Sequence, residues 1–312
     1  MRFVTQYRFG GPEVLTLAEG PEPVPLPTEV LVRVHAIGIN PVEAFVRSGA
    51  FPLLGDPPFV LGWEISGVVE HVVPGTERFA VGDEVYGLPF FPRQAGGYAE
   101  YLAAPSRVLA RKPAGLDHVH AAALPLVGLT AWQGLVEYAR IREDQRLLIH
   151  GAGGGVGHLA VQIAKAHGAY VIGSVSADKH DFVRGLGADE VIDYQQVDFT
   201  EVVHDVDVVF DVIGGDNGPR SLSVLRPGGC FVTAVDRTNT TLAETAKAAG
   251  LRFVGVGVEP DSEGLHRLAE LVGTGRLRPH VEQILPLADM ARAHELIQTG
   301  HTKGKIVVTV DG

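Results

Sequence analysis

The sequence predicts a two-domain α/β protein, a small all-β, barrel-like domain followed by a doubly wound parallel-sheet domain. Three observations predict it. At 312 residues the chain is longer than most single cores. Its first third consists of short β-rich runs set apart by Pro and Gly, as where the Pro-rich residues 21–27 precede the apolar run from Glu29 to Ile39. Its middle alternates strand-like and helical segments at the length of βαβ units.

Composition narrows the function classes. Hydrophobic residues at 46% and charged residues at 20% suit a soluble globular protein with well-filled cores. The net charge of −11, with no Lys/Arg cluster, argues against a nucleic-acid partner, which needs basic surface to replace counterions. The single cysteine, Cys230, allows no intramolecular disulfide and no thiolate zinc cage, and it reads as core packing within an apolar run. No segment runs 18 residues without polar interruption, and the first residues lack the pattern of a cleavable leader. A cytoplasmic protein without a membrane partner is therefore expected.

Taken in order, strands are expected over 29–39, 65–73, 84–87 and 98–103, and so many short strands must close or cover their edges. From Ala121 the rhythm changes: 121–140 is apolar with helical spacing. Strands follow at 170–174, 190–193, 206–212, 229–235 and 251–258, with helices at 179–185, 218–225 and 263–274. Residues 281–285 read as a strand, 287–298 as a helix and 305–310 as a last strand. The expected domains are 1–120, completed by 276–312, and 121–275.

The stretch around which the chain is organised runs from Leu147 through Gly151-Ala152-Gly153-Gly154-Gly155-Val156-Gly157 to Lys165. An apolar run ends in glycines and then takes up helical spacing, which is a strand, a tight turn and a helix. Gly153, Gly154, Gly155, Val156 and Gly157 are the expected cofactor contacts. Gly154 lets a pyrophosphate approach the backbone, Gly157 lets the helix lie close to the strand, and the helix start offers N–H groups to an anion. With Ala152 at the first position the pattern is A-x-G-x-x-G.

Further stretches accompany this turn in a fixed order: Gly38-Ile39-Asn40-Pro41-Val42-Glu43, Leu61-Gly62-Trp63-Glu64-Ile65-Ser66-Gly67, Val81-Gly82-Asp83-Glu84-Val85, Gly96-Gly97-Tyr98-Ala99-Glu100-Tyr101 and Ala123-Leu124-Pro125 to Ala131. Together they resemble the medium-chain dehydrogenase/reductase superfamily and, within it, the zinc-independent quinone oxidoreductase (zeta-crystallin-like) branch. The resemblance covers nearly the whole chain. It implies a GroES-like β-barrel catalytic domain, a Rossmann cofactor domain, a cleft between them, and NADPH as hydride source. Where zinc-dependent relatives carry a cysteine ligand this chain has Asn40-Pro41-Val42, and in their Gly-His-Glu the histidine is replaced by Trp63. No catalytic metal is therefore expected, and His118 and His120 read as a solvated pair.

NADPH over NADH is expected because the strand ending in Ser174-Val175-Ser176 lacks the carboxylate that would bond a ribose 2′-hydroxyl. Ser174, Ser176 and Lys179 are the candidates for a 2′-phosphate, with Tyr194 at a matching family position; alternatively Ser176 and Asp178 cap the next helix and Lys179 is solvated. The family pattern places Val212, Ile213 and Gly214 against the nicotinamide ribose and Ala234, Val235, Gly255 and Val256 beside the ring. Lys305 reads either as a cofactor contact or as a surface lysine.

Without a metal, the chemistry suits an acceptor that is already electrophilic, a quinone or an activated C=C bond, held near the hydride donor in a dry site. Asn40 and Thr130 are the candidate catalytic polar groups, each with a plainer reading as a turn or a packing residue. Asn40, Phe45 and Trp63 are the candidate substrate contacts, with Phe45 where family members commonly carry Tyr. An NADPH:quinone reductase is the leading expectation. An enone or enoyl reductase is the second, and a non-enzymatic NADPH-binding structural or RNA-binding protein the third. The apolar run 251–258, as a last edge strand, predicts a homodimer.

Overall fold

Residues 1–310 are described by the computed structural model; of the expected segment 276–312, Asp311 and Gly312 lie outside the described residues. The chain opens with a hairpin of β1 (Arg2–Thr5) and β2 (Thr16–Glu19). There follow β3 (Glu29–Ile39), α1 (Pro41–Ser48), β4 (Glu64–Val72), β5 (Glu84–Gly87), β6 (Tyr101–Pro105), β7 (Leu109–Arg111), α2 (His118–Ala122) and α3 (Pro125–Trp132). Next come β8 (Arg146–His150), α4 (Gly155–Ala166), β9 (Tyr170–Val175), α5 (His180–Gly185), β10 (Glu190–Asp193), α6 (Phe199–Val202), β11 (Val206–Asp211), α7 (Asn217–Ser221), β12 (Leu225–Thr233), α8 (Thr240–Ala248) and β13 (Arg252–Gly255). The chain closes with α9 (Ser262–Gly273), β14 (Val281–Pro286), α10 (Met290–Gln298) and β15 (Lys305–Thr309).

Two units result. One holds Met1–Leu129, Glu259–Gly273 and the chain from Pro279; the other holds Thr130–Val258 and Thr274–Arg278. The sequence pattern assigned 121–129 and α9 to the second domain. They pack with the first instead, because apolar spacing reports that a helix is buried and not against which sheet.

In the first unit a seven-stranded sheet runs β14-β15-β3-β4-β5-β7, with β6 also on β3. Eleven residues long, β3 pairs with β15, β4 and β6, so it is the spine of the unit. Its Val30, Val32, Val34, Ile37 and Ile39 are wholly buried. Directly after it Asn40 caps α1, with Pro41 at the first helical position and the Glu43 side chain returning to the Asn40 N–H. The sequence reading missed this helix although Asn-Pro-x-Glu is its start signal.

The second unit is a six-stranded, all-parallel sheet in the order β10-β9-β8-β11-β12-β13. The order in which strands are added reverses between the parallel central neighbours β8 and β11, and open α/β sheets bind ligands at the carboxyl ends of the strands at such a point. Leu148, Ile172, Val209 and Phe231 carry the core beneath Phe199, Leu242 and Ala246.

Some expected elements differ in extent. The helix over 121–140 is three pieces, because Pro125 has no N–H to continue α2, and residues 133–139 open into a wider turn that Arg140 ends at φ 57°. The strand over 98–103 begins only at Tyr101, since Tyr98 is engaged by the Val4 N–H. The run 251–258 is strand only over Arg252–Gly255. His118 is not solvated: its ring stacks 4.5 Å from that of His35 and bonds Ser66 Oγ at 2.8 Å.

Candidate functional site

In the second unit the glycine turn follows β8 at the switch point. Gly151 takes φ 69°, and its N–H and that of Ala152 both reach the Ser174 carbonyl, so the end of β9 fixes the turn. Ser174 thus acts through its backbone; its side chain is buried. At Gly157 a Cβ would stand 2.1 Å from the Gly151 oxygen, which requires glycine there. At Gly154 a Cβ would meet only that same oxygen, at 3.4 Å, so its other side is open to a ligand. Gly155 and Val156 begin α4, so their N–H groups have no acceptor within the helix, which leaves them for an anion.

Lys179 is buried, with its stem over the turn: a Cβ on Gly153 would lie 2.9 Å from Lys179 Cδ. Its reading as a solvated residue is therefore wrong. Ser176 makes no capping bond; its hydroxyl donates to Asp178 Oδ1 at 2.5 Å. Tyr194 follows β10 and its N–H reaches the Val175 carbonyl, which sets the ring, 58% exposed, beside the end of β9. Ser174, Ser176, Lys179 and Tyr194 are thus gathered at one strand end.

Beyond β11, Val212 and Ile213 lie against the glycine turn, for a Cβ on Gly151 would stand 3.1 Å and 2.8 Å from them. Gly214 turns the chain at φ 79°. After β12 come Ala234 and Val235. Gly255 ends β13, where a Cβ would strike the Arg237 carbonyl at 2.2 Å, and Val256 is buried with its N–H on the Thr233 oxygen. The sequence reading overlooked Asp211, the wholly buried last residue of β11, which accepts the N–H groups of Ile213 and Gly214. A carboxylate ending an apolar strand was its only signal.

The first unit contains a buried polar network at the end of β3. Lys305 Nζ lies 2.9 Å from the Ile39 carbonyl, 2.6 Å from Asn40 Oδ1 and 2.7 Å from Glu64 Oε2. It is buried and its three protons are spent, so it is no surface lysine. Asn40 Nδ2 turns to Glu64 Oε2 at 3.0 Å and to the Gly38 carbonyl at 3.4 Å. Glu64 Oε1 accepts the Leu126 N–H at the start of α3, where the helix dipole favours its charge.

Glu43 stands on the other side of Asn40. Its Oε2 accepts the Asn40 N–H at 2.7 Å, and burial pushes the carboxyl up to about 8. Burial and the neighbouring Arg47 bring the His294 ring down to about 3, so it is neutral. Arg47 Nη1 can only donate to His294 Nδ1, at 3.1 Å, which puts the ring proton on Nε2 and directs it to Tyr98 Oη at 2.9 Å. The Tyr98 proton is then left to face Glu43, and burial, with Glu43 adding to it, holds that hydroxyl above its ordinary value.

Two family models match the chain: an alcohol dehydrogenase GroES-like domain over residues 26–114 and a zinc-binding dehydrogenase over 186–308. Human quinone oxidoreductase is 31% identical, over 99% of this chain and 97% of its own. The chain belongs to the quinone oxidoreductase family of medium-chain dehydrogenases/reductases. Among solved structures, the quinone oxidoreductase from Coxiella burnetii matches with a TM-score of 0.94 and 36% identity, over 99% of both chains. Escherichia coli quinone oxidoreductase complexed with NADPH matches with a TM-score of 0.90 and 30% identity, over 99% of this chain and 100% of that one.

This family member is therefore an oxidoreductase with a GroES-like domain and a Rossmann sheet. One model's description names zinc, and at the two positions where the sequence lacks a zinc ligand the polar groups are engaged within the protein. The Asn40 amide is engaged on both sides, and the buried Trp63 spends its indole N–H on the Arg93 carbonyl at 2.6 Å. Among the described residues no group of three or more His, Cys, Asp or Glu side chains could hold a metal ion. Of the expected substrate contacts, Phe45 on α1 is 56% exposed, whereas Trp63 is closed off with Phe91 edge-on to it. Thr130 is buried on α3. No helix among the described residues is long and apolar enough to cross a membrane.

Proposed function

We propose that this protein transfers hydride from NADPH to a quinone-type acceptor in the cytoplasm, without a catalytic metal and as a homodimer. One observation carries the cofactor reading: a glycine turn open at Gly154, with Lys179 laid along it and no carboxylate ending β9. A bound nicotinamide supplies the hydride, and quinone, NADPH and a proton give hydroquinone and NADP⁺.

The residues then divide the work. The N–H groups of Gly155, Val156 and Gly157 take the pyrophosphate. Lys179 and Tyr194, with Ser176 beside them, take the 2′-phosphate, a charge that a carboxylate at this strand end would repel, while Ser174 fixes the turn through its backbone carbonyl. Val212, Ile213 and Gly214 bear on the nicotinamide ribose, and Ala234, Val235 and the backbone at Gly255 and Val256 flank the ring.

Asn40 has no amide proton left for a developing oxyanion, and Lys305 none for a cofactor. We therefore assign both to shaping the end of β3, and leave Thr130 and Phe45 as the groups toward the acceptor. Solvent or a cofactor hydroxyl supplies the proton. The exposed edge of β13 supports pairing with a second copy.

Fluorescence titration of the protein with NADPH and NADH, followed by turnover on 1,4-benzoquinone and on an acyclic enone, tests the reading. Tight binding of NADPH and turnover of the quinone are expected. Turnover of the enone alone would replace the acceptor class, and indifference to either nucleotide would end the proposal.

A further inference from the structure

We infer that Asp211, braced by Thr233 and Asp236, is a positioning residue that presets the two loops receiving the nicotinamide half of the cofactor. The inference rests on the dinucleotide reading above. Asp211 and Thr233 are register partners at the carboxyl ends of β11 and β12, and both are wholly buried. Neither side chain packs as a strand residue ordinarily would; each turns forward to hold the loop that follows it.

Asp211 Oδ1 accepts the Ile213 N–H at 3.0 Å and the Gly214 N–H at 3.1 Å, with Oδ2 also 3.1 Å from the latter. Thr233 Oγ1 accepts the Val235 N–H at 3.3 Å and the Asp236 N–H at 3.1 Å. Asp236 Oδ2 then accepts the Gly215 N–H at 3.1 Å, which ties one loop to the other. Three oxygen-bearing side chains thus satisfy five backbone donors of two loops that carry no regular structure of their own.

The first loop needs such support. Gly214 and Gly215 are both left-handed, at φ 79° and 64°, and glycines in this region are the residues that lose most freedom on being fixed. The loops also touch: a Cβ on Gly214 would fall 2.9 Å from Val235 Cγ2. What the bracing leaves at the surface is apolar, Ile213 at 59% and Val235 at 50% exposed, and Ile213 in turn abuts Gly151 of the phosphate turn. A carboxylate is the fitting brace because one group can take several N–H donors, which polarises them toward it. Fixing the loops before the ligand arrives removes an ordering cost from binding.

The test uses the full-length protein and two ligands, NADPH and 2′-phospho-ADP-ribose, which lacks only the nicotinamide. Asp211→Asn places an NH₂ against the Gly214 N–H. Losing a charged acceptor predicts NADPH affinity lower by roughly tenfold to a hundredfold. The fragment's affinity should stay within about twofold, because the phosphate turn is held separately by the Ser174 carbonyl. Equal losses on both ligands, or none on either, would overturn the inference.

If Asp211→Asn does not fold, Thr233→Val, which keeps shape and removes the acceptor, gives the same reading, with Thr233→Ser expected to restore NADPH affinity. Failure of that rescue counts against the inference. Failure of the unaltered protein to bind NADPH while its fold is intact would instead sink the cofactor reading beneath it.

Discussion

Lys305 Nζ sits 2.7 Å from Glu64 Oε2 with both side chains withdrawn from solvent, although 241 residues separate them in the chain. Three paired strands make the meeting: β15 and β4 flank β3, so Lys305, Glu64 and the Asn40 that follows β3 converge at one end of it. Gly38 leaves room for the carboxylate, since a Cβ there would lie 2.3 Å from Glu64 Oε2.

Removing one partner strands the other charge in the core. Lys305→Met is expected to cost about 3–5 kcal/mol of stability in urea unfolding. The double variant with Glu64→Gln should cost clearly less than the sum of the two single changes, by a double-mutant cycle. Additive losses would mean that the two groups do not interact.

The raised Glu43 carboxyl makes stability depend on pH. Its folded value of about 8 lies above the ordinary 4.5, so the native state holds the proton more tightly. Its contribution is complete below pH 4.5, declines by up to about 1.4 kcal/mol per unit as pH climbs toward 8, and is constant beyond. Lys305, Glu64, the Asn40 N–H and the Tyr98 hydroxyl are the groups that act on it. Melting curves from pH 5 to 9 should fall for the unaltered protein relative to Glu43→Gln until about pH 8; parallel curves would refute the assignment.

Two glycines of the phosphate turn should respond differently to alanine. Gly157→Ala forces a methyl into the Gly151 carbonyl, and overpacking of this kind costs about 1–3 kcal/mol. Gly154→Ala meets nothing nearer than 3.4 Å and should melt normally while binding NADPH more weakly. Calorimetry together with nucleotide titration separates the two effects.

For Lys179→Met, the methylene packing over Gly153 survives and the charge does not. The KM for NADPH should rise roughly tenfold to a hundredfold and that for NADH stay within about twofold. An equal change for both nucleotides would remove Lys179 from the 2′-phosphate.

Prolonged dialysis against a chelator should leave turnover and melting temperature unchanged. Lost turnover restored by added zinc would reverse the reading of Asn40 and Trp63.

Much of the nucleotide half was legible in sequence, because it is local. A strand, a glycine turn and a helix are contiguous, so spacing alone reports Gly154 and Gly157, and the alternation of the following segments reports a parallel sheet. The acceptor that α1 places at the Asn40 N–H, Glu43, was also written locally, in Asn-Pro-x-Glu, but a short helix gives little periodicity to notice.

What the sequence by itself determined is the class of fold, the strand-glycine turn-helix unit and the family, all carried by neighbouring residues whose spacing sets their geometry. Only the tertiary structure decided that Lys305 is buried against Glu64, that Asn40 has no proton to give, and that Asp211 and Thr233 hold adjacent loops. Each of these depends on strand register between segments far apart in the chain, and a lysine or an aspartate reads the same in sequence whether a strand carries it into the core or leaves it in water.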